Sequence, residues 1–166
     1  MLCLGGDILT RVEKSIEIRA PPEKVWEMLA LDRFQEWEED MQKGLKSFEY
    51  TSEVHSPKDK YQVGTSGHMY IQEMGGGDYD FQITESLENE MLTYNIKKSK
   101  SDKPSATGII TLLLKPIEDG THFTYIFDYE LPWGRFGRFL DALFAKRASE
   151  KAQEKWLKTL KSILEK

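Results

Sequence analysis

Few residues of this chain could do chemistry, and their spacing forms no catalytic or metal-binding set. The three histidines are His55, His68 and His122. They lack the close, regular spacing of metal ligands, and none can be paired with a carboxylate from the sequence alone. His122 also alternates onto the outer face of its predicted strand. We therefore assign each histidine a structural or surface role.

Three further groups resemble functional motifs without completing them. The acidic run at residues 36–40 lacks the glycine and the ligand order of a calcium loop, so it is interpreted as a solvated helix end. Gly75–Gly77 precede a strand and no Lys-Ser/Thr pair follows, so they are typical of a hairpin and not of a phosphate-binding loop. Ser66, Ser105 and Ser149 lie in no nucleophile elbow. The sequence predicts no catalytic residue, metal or cofactor, and enzymatic activity is left open.

Length and composition favour one intracellular domain. A chain of 166 residues can bury a substantial core without a disulfide. The single cysteine, Cys3, cannot form an internal bridge, which favours a cytoplasmic location. Residues 1–10 are weakly apolar and lack a basic leader, so we expect a mobile end followed by one domain over residues 11–166. No segment predicts an integral membrane span.

The charge is unevenly distributed. Residues 135–166 contain nine Lys or Arg and four Asp or Glu, whereas the chain as a whole has a net charge of −5. A basic helix on an acidic body is compatible with transient contact with an anionic membrane. The interleaved Glu154 and Lys158 favour an ordinary solvated face instead. Without a basic and aromatic platform, no nucleic-acid binding is predicted.

The elements that must position any site are a long helix and a series of strands. Apolar residues recur at spacings of three and four from Phe136 to Leu164, which predicts one amphipathic helix over 135–166, about 45 Å long. Upstream, residues 11–19 alternate as a strand, and residues 20–30 and 31–40 predict two short helices. Six further strands follow, within residues 44–54, 61–74, 79–86, 91–98, 106–116 and 121–131.

This order resembles the helix-grip superfamily, which includes START-like lipid-transfer domains (also called SRPBCC) and the polyketide cyclase/dehydrase and lipid-transport group. The resemblance spans about residues 11–165 and rests on APPEKVWEML after the first strand, the tryptophan of FQEW, VGT opening a middle strand, and KPIEDGTHFTYIFDYELP before the last helix. It implies an α+β fold in which a curved, seven-stranded antiparallel sheet wraps around the C-terminal helix. It also implies a hydrophobic cavity between them.

Inward aromatic residues are expected to line that cavity together with the N-terminal half of the helix. The expected ligand-binding residues are Trp37, Tyr70, Phe81, Tyr94, Leu112, Tyr125, Phe127, Tyr129, Trp133, Phe136, Leu140 and Phe144. The predicted partner is a hydrophobic small molecule such as a lipid, an isoprenoid or a polycyclic compound, which the protein binds and could transport. Two alternatives stay open: a polyketide cyclase or dehydratase-like enzyme, and a non-catalytic partner resembling chaperone activators. Oligomeric state is not predicted.

Overall fold

The structure is a computed structural model that describes residues 9–36, 45–71, 77–99, 107–130, 134–140 and 144–166. Its strands are β1 (Thr10–Ile18), β2 (Leu45–Tyr50), β3 (Ser66–Ile71), β4 (Gly77–Leu87), β5 (Met91–Lys98), β6 (Thr107–Ile117) and β7 (Gly120–Glu130). Its α-helices are α1 (Pro22–Glu27), α2 (Gly134–Leu140) and α3 (Lys146–Leu164), and short 3₁₀ helices span Leu31–Glu36 and Pro57–Tyr61.

The seven strands form one antiparallel sheet in the order β1-β7-β6-β5-β4-β3-β2. Consecutive strands from β2 to β7 are neighbours, as expected for strands joined by short turns. The first strand instead pairs with the last strand, with Val12 opposite Phe127. After β1 the chain passes through α1 and crosses to the opposite edge of the sheet, where β2 lies. With the C-terminal helix, this topology confirms the predicted helix-grip fold.

Alternation along the strands separates a buried inner face from an outer face. The inner positions of β6 are Ile110, Leu112 and Leu114, all buried, and in β7 they include the fully buried Phe123. Each fully buried leucine or phenylalanine contributes roughly 1.5–3 kcal/mol relative to leaving it exposed. The core therefore lies between the inner face of the sheet and the helices that cover it.

Helix α1 closes one end of this core. Pro22 at the start of the helix suits the first turn, where a backbone N–H would have no partner in the helix. Val25 and Leu29 are fully buried, and α1 lies against β6 and β7. Trp26 stacks on Tyr61 with ring centroids 5.1 Å apart. This end of the sheet is filled by protein side chains.

Helix α3 lies along β1, and the two run in the same direction. Lys14 Nζ contacts Glu154 Oε1 at 3.1 Å near the middle of both elements, and the backbone N–H of Arg19 donates to Glu165 Oε1 at 2.9 Å just beyond their ends. Trp156 stacks on Phe123 with centroids 5.7 Å apart. Because β1 is an edge strand, these contacts also cover that edge of the sheet.

The predicted helix over 135–166 corresponds to α2 and α3. Residues 141–143 lie outside the described residues, so the continuity of the helix stays a prediction. The predicted short helix at residues 31–40 is a 3₁₀ helix over its described part, Leu31–Glu36. The predicted N-terminal end falls mostly outside the described residues, although β1 already includes Thr10.

Candidate ligand-binding site

The inner face of the sheet brings together six of the predicted site residues. Cross-strand pairing places Tyr94 beside Ile110, Ile110 beside Phe127, and Leu112 beside Tyr125. The six residues that share this face are Phe81, Tyr94, Leu112, Tyr125, Phe127 and Tyr129. Five are buried and Tyr125 is half-buried. They come from four strands, β4 to β7, so the sheet forms this site and no single loop does.

Aromatic contacts give this surface a defined shape. Phe81 meets Tyr94 edge to face at a centroid distance of 6.5 Å, and Phe127 stacks with Tyr129 at 5.0 Å. Such offset and edge contacts are the favoured geometries of aromatic pairs. On the other side of Phe81, Phe48 of β2 stacks at 5.3 Å. An apolar wall of rings therefore extends across the inner face from β2 to β7.

Two tyrosine hydroxyls within this wall lack hydrogen-bond partners among the described residues. Tyr94 is 4% exposed, and burial raises its pKa well above the ordinary value, with a smaller effect from the nearby Tyr125. Burial alone raises the pKa of Tyr125. A raised pKa keeps both phenols protonated at neutral pH. Each can therefore donate a hydrogen bond to a partner but is a poor general base.

Two other tyrosines in the fold have hydroxyls that donate hydrogen bonds to protein acceptors. Tyr50 donates to Asp32 Oδ1 at 3.1 Å, and Tyr61 donates to the carbonyl oxygen of Glu27 at 3.0 Å. Burial raises the pKa of Tyr61 to about 12. The hydroxyls of Tyr94 and Tyr125 have no such protein partner among the described residues, although their rings pack on the inner face of the sheet, so each is available to a ligand or a water.

Gln153 of α3 adds a third unpaired polar atom. Its side chain is 3% exposed and its Nε2 donates to the backbone carbonyl of Val12 at 3.1 Å. Because that carbonyl can only accept, the amide orientation is fixed and Oε1 must point elsewhere. Among the described residues, Oε1 is the one side-chain polar atom that is fully shielded from solvent and has no hydrogen-bond partner, whereas the hydroxyl oxygens of Tyr94 and Tyr125 are not fully shielded. Sequence reasoning missed this residue, since a glutamine between charged helix residues gives no sign of burial.

The structure places Tyr70, Phe136 and Phe144 outside this wall. Tyr70 pairs with Asp78 on the opposite face of the sheet, because its neighbour Met69 takes the inner position. Phe136 and Phe144 are mostly exposed, and Leu140 is partly exposed. Trp37 and Trp133 lie outside the described residues. Residues 131–133 and 141–143, on either side of α2, also lie outside the described residues.

A histidine–carboxylate group lies on the outer face, remote from the aromatic wall. His68 Nδ1 is 2.9 Å from Asp80 Oδ1 and His68 Nε2 is 3.1 Å from Asp78 Oδ1. The hydrogen bond to Asp80 is the main cause of the raised pKa of His68. The described residues contain no cluster of three or more His, Cys, Asp or Glu side chains suited to a metal. His68 is therefore placed for an ion pair.

Strand register sets the partner of this histidine. The structure makes His68 and Asp80 cross-strand partners in β3 and β4. A hairpin centred on the glycines 75–77 would instead pair His68 with Thr84, so the glycines alone do not predict the pair.

Comparison with known proteins defines the class of this chain. Residues 10–165 match the family described as polyketide cyclase / dehydrase and lipid transport, and the chain belongs to that family. No curated protein sequence matches it. Within the part of the chain that the structure describes, no helix is both long and apolar enough to cross a bilayer.

Solved structures share the fold over nearly the whole chain. A START superfamily protein from Mycobacterium smegmatis aligns with a TM-score of 0.69 and 14% identity, covering 93% of this chain and 97% of its own. The Zhui aromatase/cyclase from Streptomyces sp. R1128 aligns with a TM-score of 0.67 and 14% identity, covering 95% and 94%. A Mesorhizobium loti protein aligns with a TM-score of 0.67 and 21% identity, covering 94% and 97%. At these identities the likeness establishes the fold alone.

Proposed function

We propose that this protein binds an apolar small molecule with at least one polar substituent, held between the inner face of the sheet and the C-terminal helix. The observation that carries the proposal is the presence of the two unpaired hydroxyls of Tyr94 and Tyr125 within an otherwise apolar aromatic wall. Ligand sites commonly combine an apolar lining with a few polar groups that fix orientation. The family description, which includes lipid transport, agrees with this chemistry.

In this proposal each group has a separate role. Phe81, Leu112 and Phe127 supply apolar surface, and removing apolar ligand area from water contributes about 25 cal/mol for each Å². Tyr94 and Tyr125 donate hydrogen bonds, each contributing about 0.5–1.5 kcal/mol net. The apolar contact therefore supplies most of the affinity. The hydroxyls supply orientation and the preference for a ligand with an acceptor.

Catalysis is supported less well than binding. Cyclisation or dehydration needs a side chain that moves protons beside the ligand. The described buried polar residues are threonines and Gln153, with no Asp, Glu or His among them. Asp32 reaches the edge of the wall through Tyr50, but Lys60 already pairs with it at 2.5 Å. The protonated tyrosines suit holding a carbonyl or hydroxyl, which is the binding function.

A matched pair of probes tests the proposal. Fluorenone and fluorene have nearly the same shape, but only fluorenone has a carbonyl acceptor. The wild-type protein should bind both in competition with an apolar dye, and fluorenone more tightly by about 2- to 10-fold, which is the ratio expected from one hydrogen bond. Tyr94→Phe should remove that preference and leave fluorene binding unchanged.

The control variant is Tyr61→Phe, because the Tyr61 hydroxyl already donates to the backbone carbonyl of Glu27. It should bind both probes as the wild type does. If neither probe bound the folded protein, the proposed function would be contradicted. Equal loss of both probes in Tyr94→Phe would instead show that the tyrosine acts through packing. Transfer of bound dye to acceptor vesicles would extend binding to transport.

A further inference from the structure

Three phenylalanines at the start of the C-terminal helical region lie on the surface. Phe136 and Phe139 of α2 are 62% and 60% exposed, and Phe144 is 69% exposed. Other exposed apolar residues, such as Val63 and Leu87, occur singly. Isolated exposed apolar side chains are ordinary, but three large aromatic ones within nine residues are costly unless something covers them.

The described charged residues next to these rings are cationic. Arg135, Lys146 and Arg147 are exposed, and the first turns of α2 and α3 contain no acidic residue, while Asp141, between the two helices, lies outside the described residues. This contrasts with the chain as a whole, whose net charge is −5. A cationic patch with exposed aromatic rings matches a surface that offers negative charge above an apolar layer. An acidic protein surface would complement the charges but would leave the rings without an apolar phase.

We infer that this patch, formed by Phe136, Phe139 and Phe144 with Arg135, Lys146 and Arg147, docks the protein reversibly on an anionic phospholipid membrane. Phe136 and Phe139 are three residues apart, which places both rings on one side of α2. The rings enter the boundary between headgroups and acyl chains, and the cations contact lipid phosphates. The inference does not rest on the proposed ligand, because the patch is on the surface and the aromatic wall is on the inner face of the sheet.

Vesicle sedimentation with the full chain tests the inference. Wild-type protein should sediment with vesicles of phosphatidylcholine mixed with phosphatidylglycerol, and much less with phosphatidylcholine alone. High salt should weaken the binding. The double variant Phe136→Ser/Phe139→Ser should lower the partition coefficient by about tenfold or more, since two inserted rings are lost. Lys146→Glu/Arg147→Glu should lower it for anionic vesicles specifically.

A matched control separates docking from general hydrophobicity. Val63→Ser/Leu87→Ser removes two comparably exposed apolar side chains elsewhere and should sediment as the wild type does. Thermal melts establish that each variant is folded, and the charge variant provides a second readout if the phenylalanine variant is not. Equal binding to neutral vesicles, or unchanged binding of both patch variants, would overturn the inference. A concentration-dependent dimer that Phe136→Ser/Phe139→Ser abolishes, without vesicle binding by the wild type, would assign the patch to a second copy instead.

Discussion

Removing the hydroxyl of Tyr94 should stabilise the ligand-free protein. The side chain is almost fully buried, and its hydroxyl has no hydrogen-bond partner among the described residues. Tyr94→Phe keeps the ring and its contact with Phe81 while removing only the oxygen. A residue retained for ligand recognition at a cost in stability is a common feature of binding sites.

The expected magnitude follows from the cost of a poorly solvated hydroxyl without a protein partner. A fully shielded unpaired hydroxyl costs about 1–3 kcal/mol. The Tyr94 oxygen is not fully shielded, so its cost lies at the lower end of that range. We therefore expect the free energy of unfolding to rise by about 1 kcal/mol. For a domain of this size, that corresponds to an increase of about 2–4 °C in Tm.

Chemical denaturation of ligand-free protein measures this change, with Tyr50→Phe as the matched control. The Tyr50 hydroxyl donates to Asp32, so its removal should lower the free energy of unfolding by about 1 kcal/mol. The two Tyr→Phe changes should thus have opposite signs. If Tyr94→Phe were destabilising by an amount similar to Tyr50→Phe, its hydroxyl would be satisfied within the protein, and the reasoning would be refuted.

Two further predictions concern packing and charge. Gly67→Ala should lower the free energy of unfolding by about 2 kcal/mol, because a Cβ there would collide with the Phe81 ring and with the backbone of β2; a melt unchanged from the wild type would contradict this close approach. An NMR titration should show the pKa of His68 above its ordinary 6.5, and Asp80→Asn should lower it. Since the folded-state pKa is raised, this ion pair stabilises the fold fully below pH 6.5, and the contribution is lost as pH rises through the folded-state value. An unshifted pKa would exclude the pair.

Sequence patterns could predict the fold because each element carries its own signal. The alternation of β7, the proline at the start of α1 and the apolar periodicity of α3 are local features that the structure bears out. Alternation also places Tyr125 and Phe127 on the inner face. Helical periodicity, in contrast, does not predict which apolar residues of a helix will pack against the sheet. Phe136 and Phe144 follow a helical period, yet their side chains lie exposed, whereas Trp156 and Leu160 further along the same period are buried.

The candidate site was less predictable because it depends on pairing between distant strands. The unpaired state of Tyr94 is set by its neighbours on β4 and β6, which no local window contains. Gln153 is buried because its amide reaches the backbone of β1, far away in sequence. The ligand-binding roles of the aromatic residues, the cytoplasmic location and the identity of the ligand stay predictions.

Carbon-13 NMR of the tyrosine rings during a fluorenone titration tests the central claim most directly. The chain has seven tyrosines, which report on both faces of the sheet. Binding between sheet and helix should shift the resonances of Tyr94 and Tyr125 with one saturable constant, while Tyr70 on the outer face should stay unchanged. Saturable shifts at Tyr70 with none at Tyr94 and Tyr125, or no tyrosine shift at all, would contradict a ligand site on the inner face.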